Sequence, residues 1–285
     1  MSDAALPADA TPPGAPADPP DPLRLGGMAL RNGLLVHGPS HWAAAVRDRD
    51  GAIQVASGRK PRVRGVDGVP GARGVVRLGE AMAVIPLVKR ALPAARLPFQ
   101  DARVLGVAVA TAAAGGVLRR RVPGVAGEAA AGVLALAPAL FALRDGDLAS
   151  YHGVEHKAIA AYEQGAPDAA DAAKEHDRCG SNLIAPMLAA NVAGAALVKA
   201  LVDRPGPLAG AAVGVASAGA AVEVFLWSER HAETRTARAL KRPGYELQRV
   251  LGTREPTERQ LEVGRAALAE ILRAEGVVPA EASAP

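Results

Sequence analysis

The sequence predicts a mainly α-helical, multi-span membrane protein: about four helical crossings, a small N-terminal β-hairpin unit and a C-terminal soluble amphipathic helix. Three observations predict it. Four runs with almost no charge crowd into residues 103–228 of a 285-residue chain. Each comes close to the ~20 apolar residues that cross a bilayer. The 33 basic residues, mostly Arg, collect before and after that region although the net charge is only +4. The two ends carry soluble patterning, a hairpin signal in one and a capped helical period in the other.

Residues 1–24 hold seven prolines and four aspartates, with Arg24 as the first basic residue. A secretory signal starts basic and continues apolar, so none is expected, and the stretch is read as a disordered tail. Residues 25–102 form a β and amphipathic-helix region. Within it, His41–Arg47 and Ala52–Ala56 flank Asp48-Arg49-Asp50-Gly51, an Asp-Gly hairpin signal between two apolar runs. The basic loop of Arg59, Lys60, Arg62 and Arg64 is either a solvated turn or a patch for anionic lipid headgroups. Nucleic acid is not expected, because the loop has no stacking aromatics. Residues 75–92 read as an amphipathic helix kinked at Pro86, lying on a bilayer or on a domain core.

Residues 103–228 form the membrane core. Its runs are Val104–Leu118, Val122–Leu143 with Glu128 as its only charge, Cys179–Val198, and Pro205–Val222 continuing to Trp227 apart from Glu223. They are Ala- and Gly-rich, which suits close helix packing in lipid, although an Ala-rich soluble bundle is the alternative. Four spans put both termini on one side. Arg59 to Arg103 before the spans and Arg230, Arg235, Arg238, Lys241, Arg242 and Arg249 after them place that side in the cytoplasm of an inner membrane, together with residues 144–178. Arg119-Arg120-Arg121 opposes this and allows spans one and two to be a re-entrant hairpin, giving two to four crossings. Residues 229–278 are a basic cytoplasmic region whose helix, 257–274, opens on a Thr257–Gln260 capping box; 279–285 are a second disordered tail.

Composition limits the chemistry. A charged fraction of 22% excludes a chain that is membrane throughout, and 49% apolar residues exclude a wholly disordered one. The single cysteine, Cys179, excludes an internal disulfide and a multi-Cys zinc site. Nothing resembles a nucleotide-binding loop.

The sharpest signal is Tyr151-His152-Gly153-Val154-Glu155-His156, an H-x-x-E-H motif within the loop-helix 147–180. Ser150–Tyr162 reads as helix, with Gly165 and Pro167 as its stop. His152 and His156 then share one helix face and can share one zinc or other divalent metal ion. Glu155 beside them is the candidate general base. A third ligand is needed, and three residues compete. Glu223 stands alone in an apolar run, where a carboxylate is costly unless functional. His176 and Cys179 stand three apart at the mouth of the third span. Glu163, seven residues beyond His156 on the same face, and Arg178 are candidates to support the ligands. The bland alternative is a polar helix face with exposed histidines.

The chain resembles the YqhQ-like family of bacterial membrane proteins, a domain of unknown function often labelled a predicted metal-dependent enzyme. Four blocks carry the resemblance: Gly26-Gly27-Met28-Ala29 through Trp42–Arg47; Arg73–Glu80; Tyr151–Ile159 with Ala161-Tyr162-Glu163 and His176–Ser181; and Thr253-Arg254-Glu255-Pro256 with its following helix. The resemblance implies a multi-span membrane protein with H-x-x-E-H and H-x-R-C-G blocks. The motif also occurs in inverzincin peptidases, an analogy at motif level that favours Glu223.

The leading expectation is a zinc-type hydrolase at the inner membrane face. The alternatives are a non-enzymatic membrane adaptor, whose metal or polar site is structural, and a small transporter built on Glu128 and Glu223. Expected partners are a bilayer with anionic headgroups and a membrane-protein partner or second copy, not nucleic acid.

Overall fold

The computed structural model describes residues 22–66, 68–144, 146–203 and 205–277. Most of the expected tail 1–24 and all of 279–285 lie outside these residues. The described chain is already tied down at Leu23, whose amide donates to the Tyr162 hydroxyl at 3.1 Å.

Four strands open the fold: β1 (Gly26–Leu30), β2 (Gly33–His37), β3 (His41–Arg47) and β4 (Ile53–Arg59). They form one antiparallel meander in chain order. The predicted hairpin is β3–β4, with Gly51 at φ 89° in its loop. Strands β2 and β3 are apolar at nearly every position because both faces of the sheet are covered. Leu34, Val36, Ala43 and Ala45 face one core; Leu30, Leu35, Trp42, Ala44 and Val46 face the other.

Helix α1 (Ala72–Ala91) closes the second face with Val84 and Val88 and contains Pro86. Its N-terminal part packs elsewhere, with Gly74 against Val222 of a membrane helix. The helix therefore joins the sheet to the apolar bundle.

That bundle consists of α2 (Ala102–Arg121), α3 (Val125–Leu134) with α4 (Ala137–Leu143), α6 (Ile184–Leu201) and α7 (Pro207–Arg230). Four segments are long and apolar enough to cross a membrane: Ala102–Arg121, Val125–Leu143, Gly180–Leu201 and Leu208–Arg230. Large apolar side chains such as Leu105, Val109, Val133, Leu197 and Val215 point outward and exposed, as a lipid-facing surface requires. Glu128 is buried between Arg119 and Lys199, at 2.8 and 3.0 Å. One residue of the arginine triplet is thus neutralised by its neighbour helix.

Helix α5 (Asp147–Gln164), α8 (Arg235–Leu247) and α9 (Glu258–Ala274) complete the chain. The Gln260 side chain accepts the Thr257 amide at 3.0 Å, the predicted start of α9. With four crossings, the sheet, α5 and α9 share one side of the bundle. They also share one core, where Tyr151, Val154 and Ile159 of α5 meet Leu261, Val263 and Ile271 of α9 over the sheet.

Candidate metal centre

Helix α5 runs from Asp147 and stops at Gly165, which takes the left-handed conformation at φ 64°. Tyr151, Val154 and Ile159 of α5 face the core, and His152 and His156 follow one another along the same helix. His152 and His156 lie one turn apart with ring centroids 4.4 Å apart and the rings tilted by 59°. Cys179, from the loop entering α6, closes the group. His152, His156 and Cys179 place one ligand atom each within 4.8 Å of one another. Cys179 Sγ lies 3.4 Å from His152 Nε2.

Backbone carbonyls orient both imidazoles. His152 Nδ1 meets the Gly252 carbonyl at 2.8 Å, and His156 Nδ1 meets the Lys174 carbonyl at 2.6 Å. A carbonyl accepts only, so each Nδ1 donates, and in the neutral ring that leaves the Nε2 lone pair as the free ligand atom. The His156 Nε2 is buried without a partner. Burial also pushes the His156 pKa below its ordinary value, favouring the neutral ring that ligates metals. Ligands at 2.1 and 2.3 Å from a tetrahedral ion sit about 3.6 Å apart, close to the His152–Cys179 separation. Two imidazoles and a thiol suit zinc. The residues present therefore fit the ion.

Glu155 is buried beside the group. Burial raises its pKa against the opposing charges of His152 and His176, which favours the protonated carboxyl. Gly27 of β1 makes room for it: a Cβ there would lie 2.7 Å from Glu155 Oε1. Glu155, His152 and Cys179 line one cavity of about 390 Å³, walled by Gly27–Ala29 of β1 and Ala139, Ala142 and Leu143 of α4. A second cavity of about 220 Å³ meets His152 from the side of α6 and Gln248.

The other predicted residues lie outside the three-donor group. His176 stands behind His156 at a centroid distance of 5.7 Å, with its Nε2 3.4 Å from Glu163. Its Nδ1 accepts the Arg178 amide at 3.2 Å. Arg178 pairs with Glu163, so Glu163 and Arg178 support His176 rather than the donors directly. Burial alone would raise the Glu163 pKa, but His176 and Arg178 hold it low. Glu223 is not brought to the group. It accepts from the Gly71 amide at 2.8 Å and from Arg73 Nε at 2.9 Å.

Several supporting residues escaped sequence reasoning. Buried Lys157 donates to the Ala170 and Ala172 carbonyls at 3.0 and 2.7 Å and pairs with Glu255 at 2.7 Å. It thereby ties down the loop that carries Lys174. Its signal was a lysine inside the apolar run of α5. Gln248 is fully buried, and its side chain bonds both backbone groups of His176 and the Ser181 hydroxyl. Gly153 admits the 252–254 backbone, since a Cβ there would lie 2.3 Å from the Arg254 carbonyl oxygen. The carbonyls of Gly252 and Lys174 have no side-chain signature.

Neither the curated proteins nor the solved structures compared with the chain give a match. Residues 147–274, from the first residue of α5 to the last of α9, match the model of a family described as a protein of unknown function (DUF1385), and that segment contains all three donors, Glu155 and the carbonyls that orient the histidines.

Proposed function

We propose that the protein is a metal-dependent hydrolase of the zinc type, working at the inner face of the membrane in which its four apolar helices sit. The observation that carries this reading is the paired orientation of His152 and His156, each anchored at Nδ1 and each offering Nε2 beside Cys179. A merely polar helix face needs neither the anchoring nor a buried nitrogen without a partner. Catalytic zinc sites use three protein ligands, the number found here. When bound, such an ion polarises a carbonyl and acidifies water.

The protein's own groups would do the rest. Glu155, whose carboxyl lies inside the cavity that the donors reach, is the group that exchanges a proton with the reacting molecule. Gly27 and α5 fix the position of that carboxyl. Helix α4 shields the cavity with membrane-level apolar residues. Exposed Arg235, Arg238 and Arg242 on α8 directly follow α7 and suit anionic headgroups at the same surface.

The test is Glu155→Gln in the full chain. The variant is expected to keep the wild-type metal content and to fail to complement a strain lacking the protein. Full complementation would contradict catalysis and favour a membrane adaptor with a structural metal.

A further inference from the structure

The edge of the sheet beside this centre carries unpaired main-chain groups. Each strand residue sends its N–H and C=O to the same side, and successive residues alternate. In β2, residues 34 and 36 bond to β3, as the bonds Arg47 N–H to Asn32 O (2.8 Å) and Gly38 N–H to His41 O (2.9 Å) establish for the even positions. Positions 33, 35 and 37 therefore bond to their β1 partners, Leu30, Met28 and Gly26. The odd residues of β1 point away from the sheet.

The outermost of these odd positions have partners. The Leu25 carbonyl accepts from Arg178 at 3.4 Å, and the Arg31 amide donates to the Arg96 carbonyl at 2.9 Å. Between them, the N–H and C=O of Gly27 and Ala29 meet no hydrogen-bond partner among the described residues. Both residues line the 390 Å³ cavity that contains His152, Glu155 and Cys179. An edge of this kind, between two capped ends, is a template for one more strand.

We propose that the substrate is a polypeptide, bound in extended form as an added strand along Gly27–Ala29 with apolar side chains against Met28 and α4. This rests on the hydrolase reading above and names its substrate class. The added strand lays a peptide bond beside the donors and Glu155. Water then adds across its C–N bond. The hydroxyl goes to the carbonyl carbon, a proton goes to the nitrogen, and a carboxylate and an amine leave. The mostly apolar lining selects small or apolar side chains next to the cleaved bond, because it offers few partners to a charged one.

The experiment uses the full-length, metal-loaded protein in detergent with tryptic peptides of a bacterial lysate. New termini are mapped by mass spectrometry. The best-cleaved peptide is then remade with a single N-methyl group at each position in turn. Methyls at alternate positions around the cleavage site should cut cleavage about five- to tenfold each, while the intervening ones have little effect. On the protein side, Ala29→Pro removes one outward N–H without touching a β1–β2 bond. It should lower cleavage similarly at unchanged metal content. The N-methyl series needs no variant and stands even where Ala29→Pro does not fold. A metal-loaded protein that cleaves no peptide, that cleaves with no alternation in the series, or that hydrolyses vesicle lipids instead overturns the peptide assignment and leaves the metal reading intact. Absence of metal from the wild type overturns both.

Discussion

Replacing Gly153 by alanine should disconnect His152 from its anchor. The added Cβ would lie 2.3 Å from the Arg254 carbonyl oxygen, against 3.5 Å from its carbon and 3.7 Å from Lys174 Cβ. The 252–254 backbone must retreat by about 1 Å to reach van der Waals separation. The bond from His152 Nδ1 to the Gly252 carbonyl, 2.8 Å in the structure, is then out of range. The bond from the Arg254 amide to the Ala149 carbonyl, at 3.0 Å, stretches with it. Overpacking costs about 1–3 kcal/mol and each lost hydrogen bond about 1 kcal/mol. Losing the partner that orients a ligating histidine weakens metal binding by about 10–100-fold. Chelator competition in detergent reads the affinity, and thermal unfolding reads the stability. Gly180→Ala is the control, because nothing lies within 4 Å of a Cβ at that residue next to Cys179. Wild-type affinity in Gly153→Ala would show that the Gly252 carbonyl does not govern metal binding at the site.

Three further outcomes follow from the same geometry. Cys179→Ala should lose most of the bound metal while Glu223→Gln keeps it, because Arg73 and Gly71 already hold Glu223; elemental analysis of both variants checks this. Gly27→Ala pushes a Cβ to 2.6 Å from Glu155 Cγ, so the carboxyl must move. A displacement of about 1 Å should lower turnover about 100-fold at unchanged metal content, as rate and metal assays on one sample would show. His37 supplies a pH dependence. Burial, then Lys60, pushes its pKa from 6.5 to about 4. The folded His37 stays neutral while the unfolded chain protonates below 6.5. Stability is therefore complete above that pH and falls toward pH 4, by up to about 3 kcal/mol. Thermal unfolding across this range should show the loss, and His37→Gln should remove it.

What could be read in advance divides along physical lines. The β3–β4 hairpin, α5 and α9 were legible because Gly51, Gly165 and the Thr257–Gln260 pair are local punctuation. The four apolar helices were legible because lipid demands uninterrupted apolar length. Strands β1 and β2 were not delimited, since both faces of the sheet are covered and the alternation disappears. Helix α8 also went unseen, its basic residues read only as flanking charge. At the site, His152, Glu155 and His156 follow from helical spacing alone. The third donor did not: Cys179, His176 and Glu223 are separated only by long-range packing that places Cys179 beside His152 and Arg73 beside Glu223. The carbonyls of Gly252 and Lys174 act through backbone position, which no residue type encodes.

His152, His156 and Cys179 are proposed to hold a metal ion. Elemental analysis of the full chain, purified in detergent without chelator alongside the His152→Ala/His156→Ala double variant, tests it most directly. The structure predicts about one zinc per chain in the wild type, with His2Cys as its ligands, and none in the variant. No metal in either sample, or equal metal in both, would contradict it.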